Sequence, residues 1–173
     1  MKKIAALLFV MLLGFGAMAQ SGSGKKLPSV NIKTLNGEVV NTQTISNDGK
    51  PVMICFWALW CKPCKKELDA YNELYEEWQE ETGVKIVAIS IDDARSTAKV
   101  KPFVSGKDWE FEVLLDPNQE FKRALSVNMI PHTFLLDGNG NIVYQHTSYY
   151  EGLEDEMFEL VKKVANGEDI SNH

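Results

Sequence analysis

What most restricts this chain is an abrupt change of hydrophobic period between residues 52 and 78. Val52 to Ala58 (VMICFWA) is an unbroken apolar run rich in β-branched and aromatic residues, the composition of a strand covered on both faces. Soon after it, Leu68, Tyr71, Leu74, Tyr75 and Trp78 recur at steps of three and four, so 63 to about 81 reads as an amphipathic helix closed by Gly83. Between them stands Trp60-Cys61-Lys62-Pro63-Cys64. A buried strand thus delivers a cysteine pair to a helix N-terminus, where unpaired N–H groups and the helix dipole favour a negative atom. Pro63 costs no hydrogen bond there.

That position suits thiol–disulfide chemistry. The thiolate is the nucleophile, so a site that lowers the Cys61 pKa raises the reactive fraction, with Lys62, Lys65 and Lys66 adding a solvent-screened contribution. Cys64, three residues on and less exposed, is spaced to resolve a mixed disulfide. As a structural staple the pair would be weak, because so short a loop constrains the unfolded chain little. Zinc is disfavoured: there is one C-x-x-C, and His132, His146 and His173 are scattered. The third cysteine, Cys55, lies inside the apolar strand and reads as a small hydrophobe.

The remaining pattern is that of one domain over 28–173. Val30 and Ile32 alternate with polar residues, Asn36-Gly37 signals a turn and Val39-Val40 resumes, giving an N-terminal hairpin. Lys85 to Ile91 reads as a second buried strand. Asp92-Asp93 then caps a helix through Ala98 to Val104, kinked or interrupted at Lys101-Pro102. Phe111 to Leu115 is a strand, Pro117 starts a helix through Phe121 and Leu125, and Thr133–Asp137 and Ile142–Gln145 form a final hairpin. Leu153 to Val164 closes the chain as a helix of about fifteen residues, ending near Gly167. Alternation followed by an antiparallel pair implies an α/β fold, a mixed sheet with helices on both faces.

Ahead of this lie Lys2 and Lys3, an apolar run from Ile4 to Leu13, and Ala17-Met18-Ala19. These are the parts of a secretory signal peptide over 1–19, with a flexible leader over 20–27. The run is short for a bilayer span. The chain carries a formal charge of −6, with 24 acidic residues against 18 basic ones, and both lysines of the first segment would leave with it. Such a surface repels phosphate backbones, which argues against nucleic acid as a partner.

Phe56-Trp57-Ala58 followed by Trp60-Cys61-x-Pro63-Cys64-Lys65 resembles the active-site stretch of thioredoxin-like proteins. Ile130-Pro131-His132-Thr133-Phe134-Leu135-Leu136-Asp137 resembles that family's cis-proline loop and the strand after it. With the leading hairpin, the signal segment and the insert before the cis-proline strand, the chain looks like the TlpA/ResA branch of extracytoplasmic disulfide reductases, some serving cytochrome c maturation.

The resemblance implies a thioredoxin fold and a catalytic, redox-active disulfide at Cys61 and Cys64. It also implies a cis bond before Pro131 and a substrate groove formed by Trp60, Lys62, Pro63, Ile130, Pro131 and His132. An acid near the site would move protons, and Asp93 stands at the matching place, where it also reads as a helix N-cap. In thioredoxins themselves a buried acid occupies the position of Cys55, so that carboxylate is absent here. No cofactor and no stable metal are expected. Protein thiols and disulfides are the expected substrates, and a membrane protein the expected electron donor. A second reading from a different class is a binding protein, either a copper carrier using Cys61, Cys64 and His132 or a chaperone-like binder of unfolded chains. The direction of electron flow follows from resemblance alone.

Overall fold

The computed structural model describes residues 24–170. The signal segment expected over 1–19 lies outside the described residues, as do residues 20–23 of the expected leader. At the leader's end the chain is tied down: Lys26 bridges Asn141, Ile142 N–H donates to the Lys25 carbonyl (2.8 Å), and Leu27 is buried. Composition groups Leu27 with its polar neighbours, but its apolar side chain joins the core.

Seven strands form one mixed sheet in the order β2-β1-β5-β4-β3-β6-β7. The strands are β1 (Asn31–Thr34), β2 (Val39–Asn41), β3 (Val52–Trp57), β4 (Lys85–Ser90), β5 (Glu112–Leu115), β6 (His132–Leu136) and β7 (Ile142–Thr147). β3, β4 and β5 are parallel, while β6 and β7 on one side and β1 and β2 on the other run antiparallel. Every residue of β3 is buried, because helices cover both faces of the sheet centre.

α1 (Lys62–Thr82) lies between β3 and β4, and α4 (Leu153–Ala165) packs beside it, with Trp78 stacked on Phe158 at 5.2 Å. α1 ends where Gly83 takes a left-handed conformation (φ 68°), its N–H donating to the Gln79 carbonyl. Phe56 points to the opposite face and meets Phe121 of α3 (Glu120–Ala124) at 5.3 Å.

Two helices differ from the sequence expectation. α2 (Val100–Ser105) follows a 3-10 turn at Thr97–Lys99, so the expected helix changes type just before Pro102, which falls in the first turn of α2 where its missing N–H costs little. α3 starts at Glu120 instead of near Pro117, because Gln119 is left-handed (φ 56°). Its entry is held by Asp116, whose carboxylate accepts the N–H groups of Glu120 and Lys122, both at 2.9 Å.

Candidate active site

Cys61 is the N-cap of α1. Its Sγ accepts the Cys64 N–H at 3.3 Å, and the two sulfurs form a disulfide with Cα atoms 5.4 Å apart. Cys61 is 5% exposed and Cys64 0%, so the first sulfur is the one nearer solvent. Trp60 beside it is 70% exposed. The Lys65 ammonium is tied back to the Leu59 carbonyl at 2.9 Å, with its charge on the turn that carries Cys61.

The turn is also held from β4's end. Asp92, 2% exposed, accepts the Leu59 N–H and the Ser90 hydroxyl, each at 2.9 Å, through one carboxylate oxygen. Asp93, the acid expected at the site, turns elsewhere. Its carboxylate accepts N–H groups from Arg95 and Ser96 and pairs with the Arg95 guanidinium at 3.2 Å. The Ser96 bonds, and then Arg95, hold it below the usual carboxylate range. Asp93 therefore caps the turn before the 3-10 segment, and Asp92 is the acid that reaches the cysteine loop.

The Ile130–Pro131 peptide is cis. It enters β6, whose first residue His132 pairs with Phe56 near the end of β3, so this peptide and the cysteine loop share one end of the sheet. Ile130 is half-buried and Pro131 buried. The His132 ring stacks on Phe134 at 4.4 Å and bonds Gln145 through Nε2 (3.1 Å), and burial lowers its pKa. Lys62 and Pro63 line a shallow groove whose far wall is Tyr149, Tyr150 and Glu151, residues that carried no signal in the sequence.

Behind the pair, sequence reading missed Glu67. It is 1% exposed, on the buried arc of α1 one turn past Cys64. Its Oε1 accepts from Tyr71 Oη (3.3 Å) and Thr133 Oγ1 (3.4 Å), and His146 Nε2 lies 2.9 Å away. The clue was available: a charged residue stands on the apolar stripe beside Leu68 and Tyr71. Cys55 faces the same cluster, and burial first, then the nearby Glu67 charge, push its thiol far above the ordinary range. The same two causes hold the Tyr71 phenol well up.

A buried strand, a capped disulfide and a facing cis-proline set this architecture within the thioredoxin-like proteins, and the family model described as AhpC/TSA family matches residues 23–145. The chain belongs to the AhpC/TSA family. Among its relatives, the thiol-disulfide oxidoreductase ResA of Bacillus thuringiensis subsp. konkukian is 33% identical over 141 residues, covering 82% of this chain and 78% of the relative. The thioredoxin-like protein YneN of Bacillus subtilis is 32% identical over 152 residues, covering 82% and 86%. A solution structure of a thioredoxin-like protein from Porphyromonas gingivalis is 49% identical with a TM-score of 0.73, covering 81% of this chain and 92% of that one. StoA from Bacillus subtilis superposes with a TM-score of 0.60 at 26% identity, over 77% and 96%. This family member is a thioredoxin-like thiol–disulfide oxidoreductase of ResA type, with its C-x-x-C pair at Cys61 and Cys64.

Proposed function

We propose that this chain is an extracytoplasmic protein-disulfide reductase that cycles Cys61 and Cys64 between dithiol and disulfide. The observation that carries the reading is Cys61 Sγ at the α1 N-cap, accepting a backbone N–H at the positive end of the helix dipole, which favours a thiolate. In the reduced enzyme, the Cys61 thiolate attacks one sulfur of a substrate disulfide and expels the other as a thiolate. Cys64 then loses its proton, for which Glu67 is our assigned acceptor, and attacks Cys61 Sγ. The 61–64 bond forms, two electrons pass to the substrate, and both substrate sulfurs leave as thiolates that take protons from solvent. Trp60, Lys62, Pro63, Ile130, Pro131 and His132 are the proposed substrate surface. Asp93, held by Arg95 and Ser96, is the weaker candidate for proton transfer.

The reductive direction draws support from the ResA-type relatives, and it requires a donor of two electrons, for which we propose a membrane redox protein. Service to cytochrome c maturation is the pathway we favour. Export draws support from the Met1–Ala19 pattern. In the described residues no helix is long and apolar enough to cross a membrane. The domain limits we propose are a signal segment over 1–19, a leader over 20–27 and the thioredoxin-like domain over 28–173.

Two measurements test this. Insulin reduction by the protein with dithiothreitol as donor should fall to the uncatalysed rate in Cys61→Ser. Full activity in that variant would remove the mechanism. Intact mass of exported protein should give a chain beginning at Gln20, and a chain retaining Met1–Ala19 would contradict export by cleavage.

A further inference from the structure

The cluster behind Cys64 contains a group that the exchange steps above leave unused. The His146 side chain, on β7, is 9% exposed, and its Nε2 lies 2.9 Å from Glu67 Oε1. The other two donors on that oxygen are hydroxyls. Among the described residues His146 is therefore the basic group on a carboxylate that is itself 1% exposed. A carboxylate so removed from water is costly without a compensating charge or bonds. Moreover, His146 Nδ1 is buried with no hydrogen-bond partner among the described residues. A histidine kept only for packing would normally have both ring nitrogens satisfied. Here one nitrogen stays on Glu67 while the other is left without a partner.

We propose that His146 is a positioning residue for the Cys61–Cys64 exchange, holding Glu67 in place through its Nε2–H while Glu67 takes the proton that Cys64 gives up. The inference rests on the reductase reading above. The balance is simple. The Cys64 S–H bond breaks and its proton goes to the Glu67 carboxylate. The His146 Nε2–H keeps its bond to Glu67 throughout, and Glu67 later releases the proton to solvent. No electron moves through His146. An imidazolium is favoured beside an ionised Glu67 and not beside a protonated one, so the protonation of His146 is coupled to the exchange at the pair.

The surrounding groups leave this path to Glu67 and His146. From β3 and α1, Cys55 and Tyr71 face Glu67, and burial holds both neutral. From β6, His132 lies within electrostatic reach, bound to Gln145 and pushed down by burial. Tyr144 on β7 sits with its ring 6.2 Å from that of His146. Tyr149 and Glu154, bonded to each other at 3.2 Å, close the α4 side, and burial followed by the Glu154 charge pushes the Tyr149 phenol up to about 12.

Two experiments decide it. In wild-type protein, NMR titration of the His146 ring should give different midpoints in the oxidised and reduced states. Identical midpoints overturn the proposal, and this arm needs no variant to fold. In turnover, the wild type should show a pH break that depends on His146. His146→Gln keeps an N–H donor for Glu67 but carries no proton, so it should lose that break and run about tenfold slower at pH 7. An unchanged profile in His146→Gln leaves His146 a structural role only. Cys61→Ser separates the two failures: if it is inactive while His146→Gln keeps the wild-type profile, the reductase reading stands and this inference falls.

Discussion

Asp92 does for the cysteine loop what a capping residue does for a helix, since one carboxylate oxygen anchors both the loop's Leu59 N–H and Ser90 on the neighbouring strand. Asp92→Ala should cost about 1–3 kcal/mol in urea unfolding, the range for stranding a buried donor. Asp92→Asn, which keeps an acceptor oxygen, should cost less. His132 gives a pH signature. Burial lowers its pKa, so below about 6.5 the unfolded chain binds protons that the folded protein does not. Stability from this group is complete above that pH and declines as pH falls toward the lowered folded value. His132→Gln should remove that slope, measured by urea midpoints between pH 5 and 8. At this scale type and spacing made Cys61 and Cys64 readable, and the family resemblance alone pointed to the proline that is cis in the structure. It was not readable at Asp92 and Asp93. β4 is buried on both faces, so no alternation tells which of two adjacent aspartates turns inward.

Elements reveal where local rules hold and where the fold overrides them. The long helix α1 was legible from its apolar stripe, Pro63 and Gly83, because each acts within one or two turns. The short helices α2 and α3 were legible only as regions. Their limits are set by Asp116, by the left-handed Gln119 and by a 3-10 turn, none of which leaves a periodic trace. The turn before β7 shows the same override. Gly138-Asn139-Gly140 reads as a turn, yet the two glycines are required for different reasons. A Cβ on Gly138 would collide with the backbone of Gly49, including its carbonyl oxygen, whereas Gly140 has open space around it and a positive φ of 78°. Gly138→Ala should therefore destabilise by about 2–4 kcal/mol, as backbone must move. Gly140→Ala should cost about 1–2 kcal/mol from its left-handed conformation. Thermal unfolding of both variants checks the order.

For the whole molecule, the sheet's logic is to bring distant pieces of chain to one end of β3. The parallel β3-β4-β5 centre follows from strand–helix alternation. Placement of the N-terminal pair does not. β1 adds to β5 through Lys33 opposite Leu115 and Thr34 opposite Leu114, a register between segments some eighty residues apart that no local pattern encodes. The same long reach sets Glu67, Thr133 and His146 around one oxygen, which is why the proton-handling cluster was invisible while the cysteines were plain. The proposed exchange requires one cysteine to be an activated nucleophile and the other two to be shielded. Iodoacetamide labelling of the reduced protein across pH 5–10, read site by site by mass spectrometry, measures this directly. Cys61 should label first, with a midpoint below the ~8.5 of a free thiol, Cys64 much more slowly, and Cys55 not until the protein unfolds. Labelling of Cys61 at the rate and midpoint of the denatured chain would contradict it.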